Sequence, residues 1–249
     1  MGEVITALGL RKSFGKVAAV KEVSLAVNPG EVLGLVGPNG CGKTTALRCI
    51  TGIIKMDSGS VSLAGHDIIE DPIPARQALA FIPEIPNPFI YLTVWEHLLF
   101  TARAYSLPSG WEAKAEALLR ALDLTDKRDV MPLELSKGQK QKIHLAMAML
   151  REPIALVLDE PLIGIDPKGV HLLKEWIRDR KRAGGGGIVS SHSLPLVEEV
   201  CERMAVMSKG RVVAIGTIEE LKARAVGGKD ATLEEAFLRI MEVTENRPE

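Results

Sequence analysis

Residues 31–36, Glu-Val-Leu-Gly-Leu-Val, run directly into residues 37–45, Gly-Pro-Asn-Gly-Cys-Gly-Lys-Thr-Thr. The first stretch is short, apolar and rich in valine and leucine, which reads as a buried strand. The second fits G-x-x-x-x-G-K-[ST] on Gly37, Gly42, Lys43 and Thr44, and a helical pattern, TTALRCITG, continues to Gly52. Glycines let successive backbone N–H groups turn inward around an anion, and the helix start adds the positive end of its dipole. Strand, phosphate loop and helix in that order open a nucleotide-binding α/β fold. Pro38, Asn39, Gly40, Cys41 and Thr45 complete the stretch expected to wrap the phosphates. Lys43 is expected to reach the β- and γ-phosphates, and the Thr44 hydroxyl to ligate Mg²⁺.

Outward from this loop, β-branched runs recur toward both ends of the chain: VITALGL, VSLAV, SVSLAG and ALAFI on one side, IALVLD, GIVSS, MAVMS and RVVAIG on the other. Between them the period changes. From Thr93 to Leu107 and from Gly110 to Leu122, apolar residues return every three or four positions, which predicts helices. The expected organisation is a single α/β domain, with a core of residues 1–84 and 154–216, a helical insert over 85–153 and an appendage over 217–249. The core sheet is expected to be mainly parallel and to carry an antiparallel N-terminal subdomain. IPEIPNP, residues 82–88, holds three prolines and can be neither helix interior nor central strand, so it reads as the connector into the insert and a candidate hinge. AGGGG, residues 183–187, reads as a flexible turn between helix and strand.

Composition narrows the class. The 249 residues carry 31 Lys plus Arg against 32 Asp plus Glu, and this balance offers no electrostatic footprint for nucleic acid. Three cysteines without C-x-x-C spacing suggest neither a disulfide framework nor a zinc site, and fit a reducing cytoplasm. No apolar run approaches the roughly 18 residues that read as a membrane span, and the first residues lack the layout of a signal peptide. The opening MGEVIT loosely fits a myristoylation pattern, but the acidic Glu3 and the strand-like residues after it favour a first strand.

Two further strand ends point at the same chemistry. IALVLDEP, residues 154–161, is an apolar run that ends in Asp159 and Glu160. A buried parallel strand delivers such acids to its C-terminal edge, beside the loop after the first core strand. Asp159 suits Mg²⁺ through water, and Glu160 suits a general base for an attacking water. His192 follows IVSS at a third strand end and is expected to contact the γ-phosphate. Farther along, LELSKGQKQK, residues 133–142, contains a second helix start suited to an anion: Ser136 is a good N-cap, and Gly138 is expected to keep the backbone open.

The phosphate loop, LSKGQ, VLDEP, GIDP (residues 164–167) and His192, in that order and over nearly the whole chain, resemble the ATP-binding-cassette ATPase family. The resemblance implies a head-to-tail dimer with two ATP molecules between its halves. It implies Phe14 stacking on adenine, Ser136, Gly138 and Gln139 as contacts to the partner chain's ATP, and Asp166 coupling the two sites. The glutamine usual at the entry to the insert is Glu84 here, near the metal position, and Lys137 replaces the first signature glycine. Lys137, the IPE run and the tail LEEAFL resemble the subgroup whose membrane subunits are separate polypeptides, mostly exporters. The implied partners are therefore ATP, a second copy or a related cassette, and an integral membrane permease. The chain would then be cytoplasmic and held at the membrane's inner face, with residues 85–105 as the contact and Phe89, Ile90, Tyr91, Leu92 and Trp95 as exposed apolar surface. The other reading kept open is a soluble cassette ATPase without transport, such as an iron–sulfur assembly factor.

Overall fold

The structure, a computed structural model, describes residues 2–223 and 231–245. Its N-terminal part holds strands β1 (Ile5–Phe14), β2 (Val17–Val27) and β3 (Val32–Val36), helix α1 (Lys43–Ile50), strands β4 (Ser58–Leu63) and β5 (His66–Asp67), helix α2 (Pro72–Ala78) and strand β6 (Leu79–Ile82). Helices α3 (Val94–Ala104), α4 (Trp111–Ala121) and α5 (Lys137–Leu150) follow without an intervening strand. The chain then returns to β7 (Ala155–Asp159), α6 (Pro167–Arg182), β8 (Gly186–Ser190), α7 (Leu194–Val200), β9 (Arg203–Ser208) and β10 (Arg211–Thr217), and ends in α8 (Ile218–Lys222) and α9 (Leu233–Glu245).

The strands join in the order β5-β4-β1-β2-β10-β9-β3-β8-β7-β6. β9, β3, β8, β7 and β6 run parallel, whereas β1 pairs antiparallel with both β2 and β4. The parallel strands are covered on both faces, as βαβ connections require. On β3, Val32 and Val36 face the core built with α3–α7, while Leu33 and Leu35 face the core built with α1 and the antiparallel strands. The same alternation holds on β7, where Leu156 and Leu158 oppose Ala155 and Val157. An apolar run with both faces buried is what the sequence pattern of β3 and β7 demands.

The fold departs from the sequence reading in three places. β5 and α2 left no legible pattern, being a two-residue strand and a helix with two prolines among its first three residues. AGGGG is not all turn: Gly186 and Gly187 belong to β8, and a Cβ on Gly187 would lie 2.9 Å from Leu156 Cβ on β7. Those glycines serve close strand packing. Trp95 and Leu92 are only half-exposed, Trp95 packing at 5.5 Å on the Trp111 ring with the Arg128 guanidinium stacked 4.0 Å from its centroid. Trp95 is thus part of the helical core, while Phe89, Ile90 and Tyr91 are exposed. Of the predicted helical run IEELKARA, Ile218–Lys222 is helical as expected, and its last two residues fall outside the described residues.

Candidate active site

The loop between β3 and α1 is wedged into the sheet. A Cβ on Gly37 would lie 2.2 Å from the Met207 carbonyl of β9, and one on Gly42, at φ 109°, would lie 2.3 Å from the Ala19 carbonyl of β2. Any side chain at either position displaces backbone, so the glycines are required by this packing as well as by anion binding. Gly210 N–H donates to the Cys41 carbonyl at 2.9 Å and ties the loop to the β9–β10 turn. The Cys41 thiol is buried, and desolvation raises its pKa against the pull of Lys43, which makes it an inert wall. Lys43 is itself buried, and its Nζ donates to the carbonyls of Gly37 at 2.7 Å and Pro38 at 3.2 Å. Its ammonium therefore stands over the loop mouth.

Opposite stand the ends of β7 and β8. Asp159 is 1% exposed and lies level with Ser190, whose hydroxyl donates to Asp159 Oδ1 at 2.6 Å. The Ser190 hydroxyl oxygen in turn accepts from the Glu160 N–H at 3.1 Å, and the Ser190 carbonyl accepts from that N–H at 3.2 Å. One hydroxyl, donating once and accepting once, thus orients both acids. It offsets part of the cost of Glu160's left-handed backbone, φ 46°, a conformation worth about 1–3 kcal/mol of strain in a residue with a side chain.

Glu160 Oε1 lies 3.2 Å from His192 Nε2, but the contact lacks hydrogen-bond geometry, so this buried oxygen has no hydrogen-bond partner among the described residues. Burial raises the Glu160 pKa, with His192 and then Lys43 pulling the other way. A carboxyl lifted above its ordinary range by burial, with one oxygen free and a half-exposed imidazole beside it, is suited to accept a proton from water. Asn39, Gly40, Gly42, Lys43, Thr44 and Thr45 from the loop and α1 line one cleft with Glu84, Asp159, Glu160 and His192. Ala19 at the start of β2 forms its remaining wall.

No cluster of three or more His, Cys, Asp or Glu side chains capable of holding a metal occurs among the described residues. Mg²⁺ needs no such cage: it takes one or two protein oxygens, with phosphate and water completing the shell. Thr44 and Asp159 fit that donor set, since Ser190 engages only one Asp159 oxygen.

The remaining residues singled out from the sequence lie apart from this cleft. Phe14 ends β1 half-exposed, with Lys12 Nζ 5.5 Å from its ring centroid. Ser136 caps α5: its hydroxyl accepts from Gln139 N–H at 3.2 Å, and Gln139 Oε1 accepts from Ser136 N–H at 2.9 Å. Gly138 is not an open position, because a Cβ there would lie 2.0 Å from the Gly164 carbonyl, in the loop that follows Glu160. Asp166 caps α6 by accepting from Gly169 N–H at 2.8 Å and pairs with the buried Lys142 ammonium of α5 at 2.5 Å. That ammonium, before the Gly169 N–H, holds the Asp166 carboxyl below the ordinary range. The start of α5 and the start of α6 therefore form a second polar surface around Ser136 and Asp166.

Sequence reasoning missed Ser190 and Lys142. Ser190 sits inside IVSS, where nothing marks it until β8 is known to lie level with β7. Lys142 reads as an ordinary charged position on α5.

The sequence profile described as "ABC transporter" matches residues 20–163. The chain is 34% identical over 232 residues to the ABC-type transporter ATP-binding protein EcsA of Bacillus subtilis (strain 168), covering 93% of this chain and 94% of that protein. It is 35% identical to the Nod factor export ATP-binding protein I of Paraburkholderia xenovorans (strain LB400) over 88% of this chain and 72% of that one. It is 33% identical to the lipopolysaccharide export system ATP-binding protein LptB of Haemophilus influenzae over 88% and 92%. Among solved structures, one described as the ATP-binding subunit of an ABC transporter superposes with a TM-score of 0.89 at 32% identity, covering 96% of this chain and 99% of that chain.

Proposed function

Because this chain belongs to the ABC transporter family and is an ATP-hydrolysing, ATP-binding subunit of it, we propose that two such chains close head to tail around ATP. Closure and reopening would drive a separate membrane subunit. One observation carries this reading: of the two helix starts that the sequence marks for anions, at Lys43 and at Ser136, the first lines the cleft among the described residues and the second does not. The second therefore serves the phosphates of a partner chain.

Within each site, Phe14 offers a face for the adenine, the loop 37–45 cradles the phosphates and Lys43 neutralises the γ-phosphate. Thr44 and Asp159, near Glu84, would hold Mg²⁺, which would supply charge stabilisation to the phosphates when bound. Glu160 accepts the proton of the attacking water, and His192 holds the γ-phosphate opposite Lys43. Asp166 stands beside the Ser136 surface, where it can relay closure from one site to the other.

No described helix is long and apolar enough to cross a membrane. The membrane subunit would be another polypeptide, and the chain would lie on the cytoplasmic side through it. Export is the direction supported by the relatives named for Nod factor and lipopolysaccharide export. For the contact we propose the exposed Phe89, Ile90 and Tyr91 together with a groove of about 330 Å³ that Ile53, Phe81 and Tyr105 line. The Arg151 guanidinium, stacked 3.7 Å over the Tyr105 ring, leaves its Nη1 without a hydrogen-bond partner among the described residues. The division into a core, an insert over 85–153 and an appendage from 217 belongs to the same proposal: the insert takes up the partner, and the core takes up ATP.

Sedimentation tests closure. Glu160→Gln keeps the shape of the site and removes the base, so it is expected to accumulate as a dimer with Mg·ATP and to stay monomeric without it. Adding Ser136→Arg returns it to monomer with ATP still bound. A Glu160→Gln protein that stays monomeric at high concentration with ATP bound overturns closure by this chain alone.

A further inference from the structure

The segment from Pro83 to Pro88 crosses from β6 toward α3 and carries Glu84 into the cleft. Pro83, Pro86 and Pro88 have no N–H to donate, so the backbone there has little with which to fix itself. Among the described residues its hydrogen bonds are two, and both end on α5. Gln141 Nε2 donates to the Pro83 carbonyl at 2.9 Å, and Asn87 N–H donates to His144 Nε2 at 3.1 Å. Residues 141 and 144 lie one turn apart on the same helix face. Together they grip the segment one residue before Glu84 and three residues after it.

Both side chains are constrained to these roles. Gln141 is fully buried, and only its amide nitrogen can serve a carbonyl, so the partner settles which way the amide points. Asn87 offers a donor, so His144 Nε2 accepts, and the imidazole is neutral with its proton on Nδ1. Burial, helped by the neighbouring His97, pushes the His144 pKa down to about 4, in keeping with that form. The helix that holds the segment is the one that Ser136 caps, a single stretch from Lys137 to Leu150.

We propose that Gln141 and His144 are positioning residues that clamp the Glu84 segment to α5, so that Glu84 moves in the cleft with Ser136 as one body. The inference rests on the proposed role of the cleft and deepens it. A displacement of α5, the helix whose start faces the partner chain, would carry the Glu84 carboxylate relative to Lys43 and Asp159. The two clamp residues touch neither nucleotide nor metal and act only through Glu84.

The test is a double-mutant cycle on the purified chain, reading kcat and KM for Mg·ATP, Kd for a fluorescent ATP analogue, and Tm. Gln141→Leu and His144→Phe remove the donor and the acceptor, while His144→Gln supplies an oxygen at a similar reach. Glu84→Ala is expected to change kcat by about threefold or more, on the scale that misplacement near reacting atoms produces. Each clamp variant is expected to change kcat in the same direction, with the Kd within about twofold of the parent, as binding set by the phosphate loop requires. His144→Gln restores the parent value. In the Glu84→Ala background the clamp variants have no further effect.

Clamp variants that act in full on the Glu84→Ala background overturn the proposal. So does Glu84→Ala without effect, or a folded His144→Phe with the parent kcat. If Gln141→Leu does not fold, the His144 pair and its rescue decide alone. Lys43→Ala, run in parallel, separates this from the larger reading: turnover retained there would remove the active-site assignment itself, whereas its loss beside additive clamp variants removes only the clamp.

Discussion

At the scale of residues, the cleft works by setting unlike charges close together where water is scarce. Lys43 is buried with loop carbonyls as its partners, so its ammonium is ready for a phosphate. Lys43→Ala is expected to lower ATP turnover about a hundredfold or more and to weaken ATP binding, as loss of one preorganised charge contact to a transition state does; steady-state kinetics and nucleotide titration check both. Glu160 has the opposite problem, since burial disfavours its charged form and raises its pKa. The proton-bound form therefore persists to higher pH than in an ordinary carboxyl, and with Glu160 as the proposed base turnover is expected to be lost sooner as pH falls. Linkage gives stability the matching sign: the fold is free of the ionisation penalty at low pH and acquires it as pH rises through the folded pKa. Glu160→Gln is thus expected to lower kcat about 10²–10⁴-fold while raising Tm at neutral pH. That gain in Tm shrinks when the scan is repeated below the carboxylate range. Glu84 brings a further negative charge to the cleft. Glu84→Gln is expected to preserve or raise turnover, and a large loss would show instead that the carboxylate has a positive role.

At the scale of elements, α5 organises the molecule. Ser136 and Gln139 close its N-terminus with a capping box, Lys142 pairs with the N-cap of α6, and Gly138 presses against the loop after Glu160. Gly138→Ala sets two tendencies against each other. Alanine favours a helix by about 1 kcal/mol over glycine. The added Cβ would stand 2.0 Å from the Gly164 carbonyl, a backbone atom that moves only with its loop. Overpacking of this kind costs about 1–3 kcal/mol, so the clash is expected to win and Tm to fall by several degrees, at roughly 2–4 °C per kcal/mol for a chain of this size. ATPase activity is expected to fall with it, because Gly164 lies four residues past Glu160. A Gly138→Ala protein with unchanged Tm would show that the loop yields freely.

At the scale of the whole molecule, one consecutive run of large apolar residues, Phe89, Ile90 and Tyr91, stands exposed. Tyr91 is 79% exposed and Phe89 52%, although Phe89 also packs edge-on at 5.1 Å against Phe100. Surfaces of this kind mark contacts with other proteins. Tyr91→Ser with Ile90→Ser is expected to leave the ATPase activity and Tm of the free chain near the parent values, surface substitutions being worth less than about 0.5 kcal/mol. The pair is expected to abolish co-purification with a membrane subunit from detergent-solubilised membranes. Co-purification at the parent yield would move the contact elsewhere.

What the sequence determined by itself is local. A strand that runs into a glycine loop and a helix, an N-cap at Ser136, and a strand that ends in Asp159 and Glu160 each depend on a few consecutive backbone torsions and on hydrophobic period, and these are written in neighbouring residues. The tertiary structure decided whatever depends on which elements lie side by side. Ser190 orients both acids only because β8 pairs with β7 in that register. Gly138 is obligatory only because α5 meets the loop at Gly164. Trp95 is packed rather than exposed because α4 brings Trp111 to it, and the proline segment is held only because α5 passes beneath it. A helical period gives the apolar face of α3 but not the neighbour that covers it. Contacts between residues distant in the chain are set by packing the whole core at once, and no short stretch of sequence carries that information.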